Sequence, residues 1–169
     1  FYSVLPIIIG LLIAGIMIRV KINGMATYRA ILFIGLASSW CTGLIFYYMN
    51  NWVTVEGAFG PMKHPAQQFV IMGHGAAAFV MLMCFGVLVV NHLPSAWRLR
   101  RSRYLGITLT TLFSFQIITA YILYYIAGEE SRALISNLHA LSGASIPIIL
   151  VGHIIRGRMQ RRLAPSQPP

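Results

Sequence analysis

Five long apolar stretches, at residues 2–20, 30–49, 66–91, 104–127 and 133–155, constrain this chain more than any other feature of it. A helix needs about 20 mostly apolar residues to cross the hydrocarbon core of a bilayer, and each stretch is of that order. The third is long enough to tilt. Only helices suit such segments, because each backbone group left unpaired in lipid costs several kcal/mol. Composition agrees. The chain is 57% hydrophobic and only 9% charged, whereas a soluble domain carries roughly a quarter charged residues. Too few charges exist to cover a water-facing surface. The expected fold is all-α: a polytopic membrane protein of five transmembrane helices forming one domain over residues 1–163. The Pro-rich polar tail, residues 164–169, reads as a flexible end. The first stretch lacks a basic lead and a small-residue cleavage site, so it reads as a span and not as a signal peptide.

The charges fix an orientation. Arg19, Lys21 and Arg29 lie between the first and second stretches, and Arg98, Arg100, Arg101 and Arg103 between the third and fourth. Arg156, Arg158, Arg161 and Arg162 follow the fifth. The other side holds Lys63 and Arg132, with all three acids, Glu56, Glu129 and Glu130. The positive-inside rule makes the first side cytoplasmic, with the N-terminus outside and the C-terminus inside. The net charge of +10 is then a topology signal facing anionic lipid headgroups, and nucleic acid is not an expected partner. Cys41 and Cys84 fall inside apolar runs and read as small core residues. No CxxCH is present to attach haem covalently.

The histidines carry the chemistry. Of His64, His74, His92, His139 and His153, four lie on the third and fifth stretches or at their ends. Ionisable side chains in a bilayer are rare, costly and usually functional, and imidazole is an axial ligand of haem iron. At about 100° per residue, the step from His74 to His92 makes about five whole turns, and that from His139 to His153 falls about 40° short of four. Each pair thus keeps to one helix face. The two stretches run in the same direction across the membrane. Facing each other, they predict two stacked b-type haems: an outer one on His74 and His139, an inner one on His92 and His153. The two rises differ, about 27 Å against about 21 Å; either tilt of the third stretch absorbs the difference, or His92 is an interfacial residue and the inner haem has another ligand or is absent. His64 stands beside Pro65 in the outer loop and is a weaker candidate.

Small residues surround the outer pair. Gly73, Gly75, Ala76, Ala77 and Ala78 flank His74, and Ala140, Ser142, Gly143 and Ala144 follow His139. Gly75 and Gly143 are candidate haem-packing positions, although small residues also serve close helix packing. A zinc site is a poorer fit, since zinc prefers three or four close N, S or carboxylate ligands and no acid lies within a span. Proton relays normally use Asp or Glu as well. There is also a short internal repeat. Cys41-Thr-Gly-Leu-Ile-Phe-Tyr-Tyr48 and Ile118-Thr-Ala-Tyr-Ile-Leu-Tyr-Tyr125 each end a stretch on the outer side. Each is followed by an outer loop and then a helix with a His in its outer half, which suggests two related hairpins. The longest outer connection, residues 50–65, holds Trp52 and Phe59 and reads as a loop able to form a small docking surface.

Two motifs, Asn137-Leu-His139-Ala-Leu-Ser-Gly143 and Val151-Gly-His153-Ile-Ile-Arg156, with Thr119-Ala-Tyr-Ile-Leu-Tyr-Tyr125 before them, resemble a known family. They look like the di-haem cytochrome b subunits of membrane-bound formate dehydrogenases and hydrogenases, whose last helix carries two His fourteen residues apart. The likeness covers about residues 64–158. It departs from that pattern in one respect: the formate dehydrogenase type takes an inner haem ligand from an early helix, and here the first two stretches contain no His. His92 is the substitute. The nitrate reductase cytochrome subunit also has five helices with its N-terminus outside, but its His spacing differs.

The resemblance implies an electron-transfer subunit of a quinone-linked respiratory complex in the bacterial cytoplasmic membrane. It also implies two haem b, an extracytoplasmic partner bearing Fe–S clusters or c-type haem, and a quinone. Within that frame Gln116, the one long polar side chain mid-span in a polar fourth stretch, is a candidate quinone contact or an interhelical hydrogen bond. Lys63, Arg132, Arg98 and Arg156 are candidate haem-propionate partners or interfacial anchors. Tyr47, Tyr48, Tyr124 and Tyr125 sit where aromatic belts sit. The alternatives are a self-contained transmembrane oxidoreductase and a haem-free membrane scaffold.

Overall fold

A computed structural model describes residues 25–98 and 102–163. The stretch at residues 2–20, the tail at 164–169, and Arg100 and Arg101 lie outside the described residues. In chain order the elements are α1 (Met25–Trp52), β1 (Thr54–Gly57), β2 (Gly60–Lys63), α2 (Ala66–Val87), a π turn (Leu88–His92), α3 (Leu93–Arg98), α4 (Arg103–Tyr125) and α5 (Glu129–Arg162). Four helical segments are long and apolar enough to cross a membrane: Thr27–Trp52, Ala66–Arg98, Arg103–Tyr125 and Glu129–Arg162. They fall on the second to fifth apolar stretches.

The chain forms two compact units, Phe1–Val90 and Asn91–Pro169. In the first, α1 packs on α2; in the second, α4 packs on α5, with α3 touching α4. Close approach in the first unit depends on Gly35 of α1, where a Cβ would stand 3.2 Å from Val80 Cγ1 of α2. Among the described residues the buried apolar side chains are few: Ala77, Met81, Cys84, Leu109 and Ile146. Large ones point outward instead, with Phe69 and Ile148 each 74% exposed. That inversion suits a lipid solvent and would be an aggregation hazard in water.

Two features differ in kind from the sequence expectation. The third stretch, expected to end at Asn91 ahead of Pro94, continues as helix to Arg98. Pro94 has no N–H to donate and its ring crowds the preceding turn. The turn just before it widens to i→i+5 bonding over Leu88–His92, which lets the helix run on. Ser95 Oγ donates to Asn91 O at 2.5 Å. A second difference lies in the outer connection, expected as a loop. It contains an antiparallel hairpin in the register Thr54↔Lys63, Val55↔Met62, Glu56↔Pro61 and Gly57↔Gly60. Gly60 takes φ +110°, a conformation cheap only for glycine. Pro61 is tolerated because both strands are edges.

Cations close the C-terminal ends of the first helix of each unit's helix pair. Lys63 Nζ donates to Asn50 O in the last turn of α1. Arg132 Nη1 donates to Leu123 O at 2.7 Å and to Ile126 O at 3.4 Å, at the end of α4. Carbonyls there have no intrahelical donor, and the helix dipole favours positive charge beside them. The 34-residue α5 is charge-matched along its own length, with Glu129 and Glu130 in its first turn and Arg161 and Arg162 in its last.

Candidate functional site

In the first unit, α2 presents His74 to the C-terminal half of α1. His74 Nδ1 lies 3.0 Å from Ser39 O and 3.3 Å from Thr42 Oγ1. A carbonyl oxygen can only accept, so Nδ1 carries the proton and the ring's lone pair is on Nε2. Thr42 donates its own hydroxyl proton back to Ser38 O at 2.6 Å. The ring reaches the α1 backbone because residue 43 is glycine: a Cβ there would stand 3.0 Å from His74 Cε1 and 3.2 Å from Nδ1.

The second unit repeats the arrangement. His139 on α5 sets Nδ1 2.8 Å from Thr119 Oγ1 of α4, and Thr119 is only 2% exposed. The same hydroxyl lies 2.8 Å from Phe115 O. One hydroxyl proton cannot serve both contacts. Phe115 O can only accept, so both are hydrogen bonds only when Thr119 donates to Phe115 O and His139 Nδ1–H donates to Thr119. The lone pair is again on Nε2. Thr42 and Thr119 are the second residues of the two repeated segments, so the short repeat marks the hydroxyl that meets each histidine. Sequence reasoning did not assign either threonine, nor Gly43. The repeated Thr was the available signal.

Gln116 ties α4 to α5 around His139. Its Nε2 donates to His139 O at 2.8 Å and to Ser142 Oγ at 2.7 Å. Gly143 makes room for this amide, since a Cβ there would stand 3.1 Å from Gln116 Nε2. Gln116 thus makes the interhelical hydrogen bond that was one of its two sequence readings. Interhelical bonds in membranes average about 0.6 kcal/mol each. A Gln116→Leu chain is therefore expected to lose about 1 kcal/mol of stability, read as a lowered melting temperature in detergent. An unshifted melt would mean that Gln116 does not hold α5.

His92 and His153 both belong to the second unit, and their ring centroids stand 6.3 Å apart at an interplanar angle of 80°. A metal held between two imidazoles by bonds of about 2.1 Å, the length known for zinc, leaves ring centroids roughly 6 Å apart. Gly106 of α4 faces the His153 ring, where a Cβ would lie 3.5 Å from Cε1. His153 Nδ1 is buried and has no hydrogen-bond partner among the described residues. The count of five whole turns from His74 to His92 presumes an unbroken α-helix. The π turn Leu88–His92 interrupts it, so that count does not carry through to His92.

His64 has the opposite tautomer. Its Nδ1 accepts the Ala66 backbone N–H at 3.1 Å, which places the proton of a neutral ring on Nε2 and engages the side chain at the start of α2. Nothing among the described residues lies within 4 Å of a Cβ built at Gly75. Arg98 ends α3 and Arg156 lies three residues beyond His153 on α5, while Lys63 and Arg132 hold helix ends. Tyr47 and Tyr48 each set their rings 5.8 Å from Trp52 at the end of α1, and Tyr121 packs 4.9 Å from Tyr125 at the end of α4. Among the described residues no group of three or more His, Cys, Asp or Glu side chains gathers. Comparison with protein-family models, curated proteins and solved structures gives no match.

Proposed function

We propose that this chain is a membrane-bound b-type cytochrome of five transmembrane helices that passes electrons across a bacterial cytoplasmic membrane. The observation that carries the reading is the matched state of His74 and His139. Each has its Nδ1–H engaged by a carbonyl or hydroxyl of the neighbouring helix, with the lone pair on Nε2. Metal-ligating histidines almost always donate their other ring N–H in this way, which fixes the ring and raises its basicity. His74 and His139 would hold the outer haem, a pairing that rests on sequence spacing. His92 and His153 would hold the inner haem, a pairing supported by their 6.3 Å centroid separation.

Haem b, when bound, supplies a one-electron Fe(III)/Fe(II) couple whose potential the axial ligands, hydrogen bonds and burial set. The protein residues orient the imidazoles, keep water from Thr119, and hold the N–H of each outer ligand on a fixed acceptor. The basic residues clustered at one membrane face orient the chain, N-terminus outside and C-terminus in the cytoplasm. The likeness to formate dehydrogenase and hydrogenase cytochromes supports a place in a respiratory complex. There the chain would stand between an extracytoplasmic Fe–S or c-type haem partner and the quinone pool. The test is a reduced-minus-oxidised spectrum of the purified protein with a pyridine haemochrome count. Two haem b per chain is the expected result. One haem sinks the inner or the outer assignment, and none, from cells able to supply it, sinks the electron-transfer reading.

A further inference from the structure

We infer that Thr119, with Thr42 as its counterpart, is a positioning residue that sets the reduction potential of the outer haem; this rests on the di-haem reading above. Thr119 is 2% exposed, so no water competes for its hydroxyl. Its proton is spent on Phe115 O, which orients the oxygen lone pairs toward His139 Nδ1 at 2.8 Å. The hydroxyl therefore works as a fixed acceptor. In a low-dielectric interior such a bond is stronger than in water, and an orphaned donor is correspondingly costly.

An imidazole whose N–H is held by an acceptor is the more electron-rich ligand. An electron-rich axial ligand favours Fe(III) over Fe(II), so losing the acceptor raises the potential. Second-shell partners of metal ligands typically change metal affinity 10–100-fold. The inner ligand His153 gives an internal contrast, since its Nδ1 is buried and has no hydrogen-bond partner among the described residues. The Thr119 hydroxyl thus acts on one haem and not on the other. In the first unit the same role is shared, because His74 Nδ1 also reaches Ser39 O, and Thr42 at 3.3 Å is the lesser acceptor.

The experiment is a potentiometric titration of the whole protein in detergent, following the haem α-band, for the wild type, Thr119→Val, Thr119→Ser and Thr42→Val. Valine keeps the shape of threonine and removes the acceptor; serine keeps the acceptor. Thr119→Val is expected to raise one haem component by at least a tenfold change in the ferric-to-ferrous preference, about 59 mV for one electron. The other component stays in place. Thr119→Ser is expected to titrate as wild type, and Thr42→Val to shift less than Thr119→Val. Loss of one haem from Thr119→Val but not from Thr119→Ser supports the same role. Both haems bound with unmoved potentials in Thr119→Val overturns the inference, as does a serine variant that shifts like valine. A wild-type protein without haem overturns the di-haem reading instead, which keeps the two failures apart.

Discussion

A His139→Ala chain is expected to keep one of two haems. On the di-haem reading, His139 would be the only link between that helix and the outer haem, and its loss would leave the group held from one side only. Changing a mere second-shell partner already costs 10–100-fold in metal affinity, so removing the ligand itself reduces occupancy below detection after purification. His74→Ala is expected to remove the same haem. His153→Ala removes the other, as does His92→Ala if the 6.3 Å pair is the inner ligand set. His64→Ala removes neither, because its ring accepts the Ala66 N–H. It costs that hydrogen bond instead, about 0.5–1.5 kcal/mol of stability. Pyridine haemochrome counts per chain read all five variants. Two haems retained in His139→Ala would sink the outer site. Two retained in His92→Ala would hand the inner ligand to another residue while leaving His153 in place.

The four long apolar helices were legible because charge is scarce in the chain and the few charged residues cluster between the apolar stretches. Other features were hidden for identifiable reasons. Pro94 announces a missing donor, and sequence reasoning ends a helix there; it does not announce that the preceding turn will widen and let the helix continue to Arg98. The strands at Thr54–Gly57 and Gly60–Lys63 are too short for alternation to register, and Pro61 argues against a strand unless both edges are free. Among the site residues, histidines declare themselves by their cost in lipid. Threonines do not, since a Thr in a membrane helix normally satisfies itself on its own i−4 carbonyl. Thr42 and Thr119 both do that, and each also meets an imidazole. Only the pairing of α1 with α2 and of α4 with α5 reveals the second contact. The same holds for Lys63 and Arg132, whose sequence positions fit an anchor or an anion partner, and whose donors reach the carbonyls that end α1 and α4.

Gly43→Val is expected to expel the outer haem while the protein still inserts and binds the inner one. A single added Cβ would stand 3.0 Å from His74 Cε1 and 3.2 Å from Nδ1, tighter than ordinary carbon contact at about 3.5–4.0 Å. Alanine forces the ring back by a few tenths of an ångström and stretches its bond to Ser39 O. Valine adds two branched carbons on the same face, so the ring must leave and its N–H loses the carbonyl. Overpacking of this kind costs about 1–3 kcal/mol, and the displaced ligand adds the loss of the metal bond. Haem stoichiometry and a thermal melt in detergent read the two effects separately. Gly75→Ala is the control. Nothing among the described residues lies within 4 Å of a Cβ there, and glycine to alanine within a helix is favourable by about 1 kcal/mol. The protein alone therefore accepts that change. Any haem lost from Gly75→Ala reports contact with the bound group itself. A Gly43→Val protein holding both haems with unchanged spectra would mean that His74 does not rest on α1 at all.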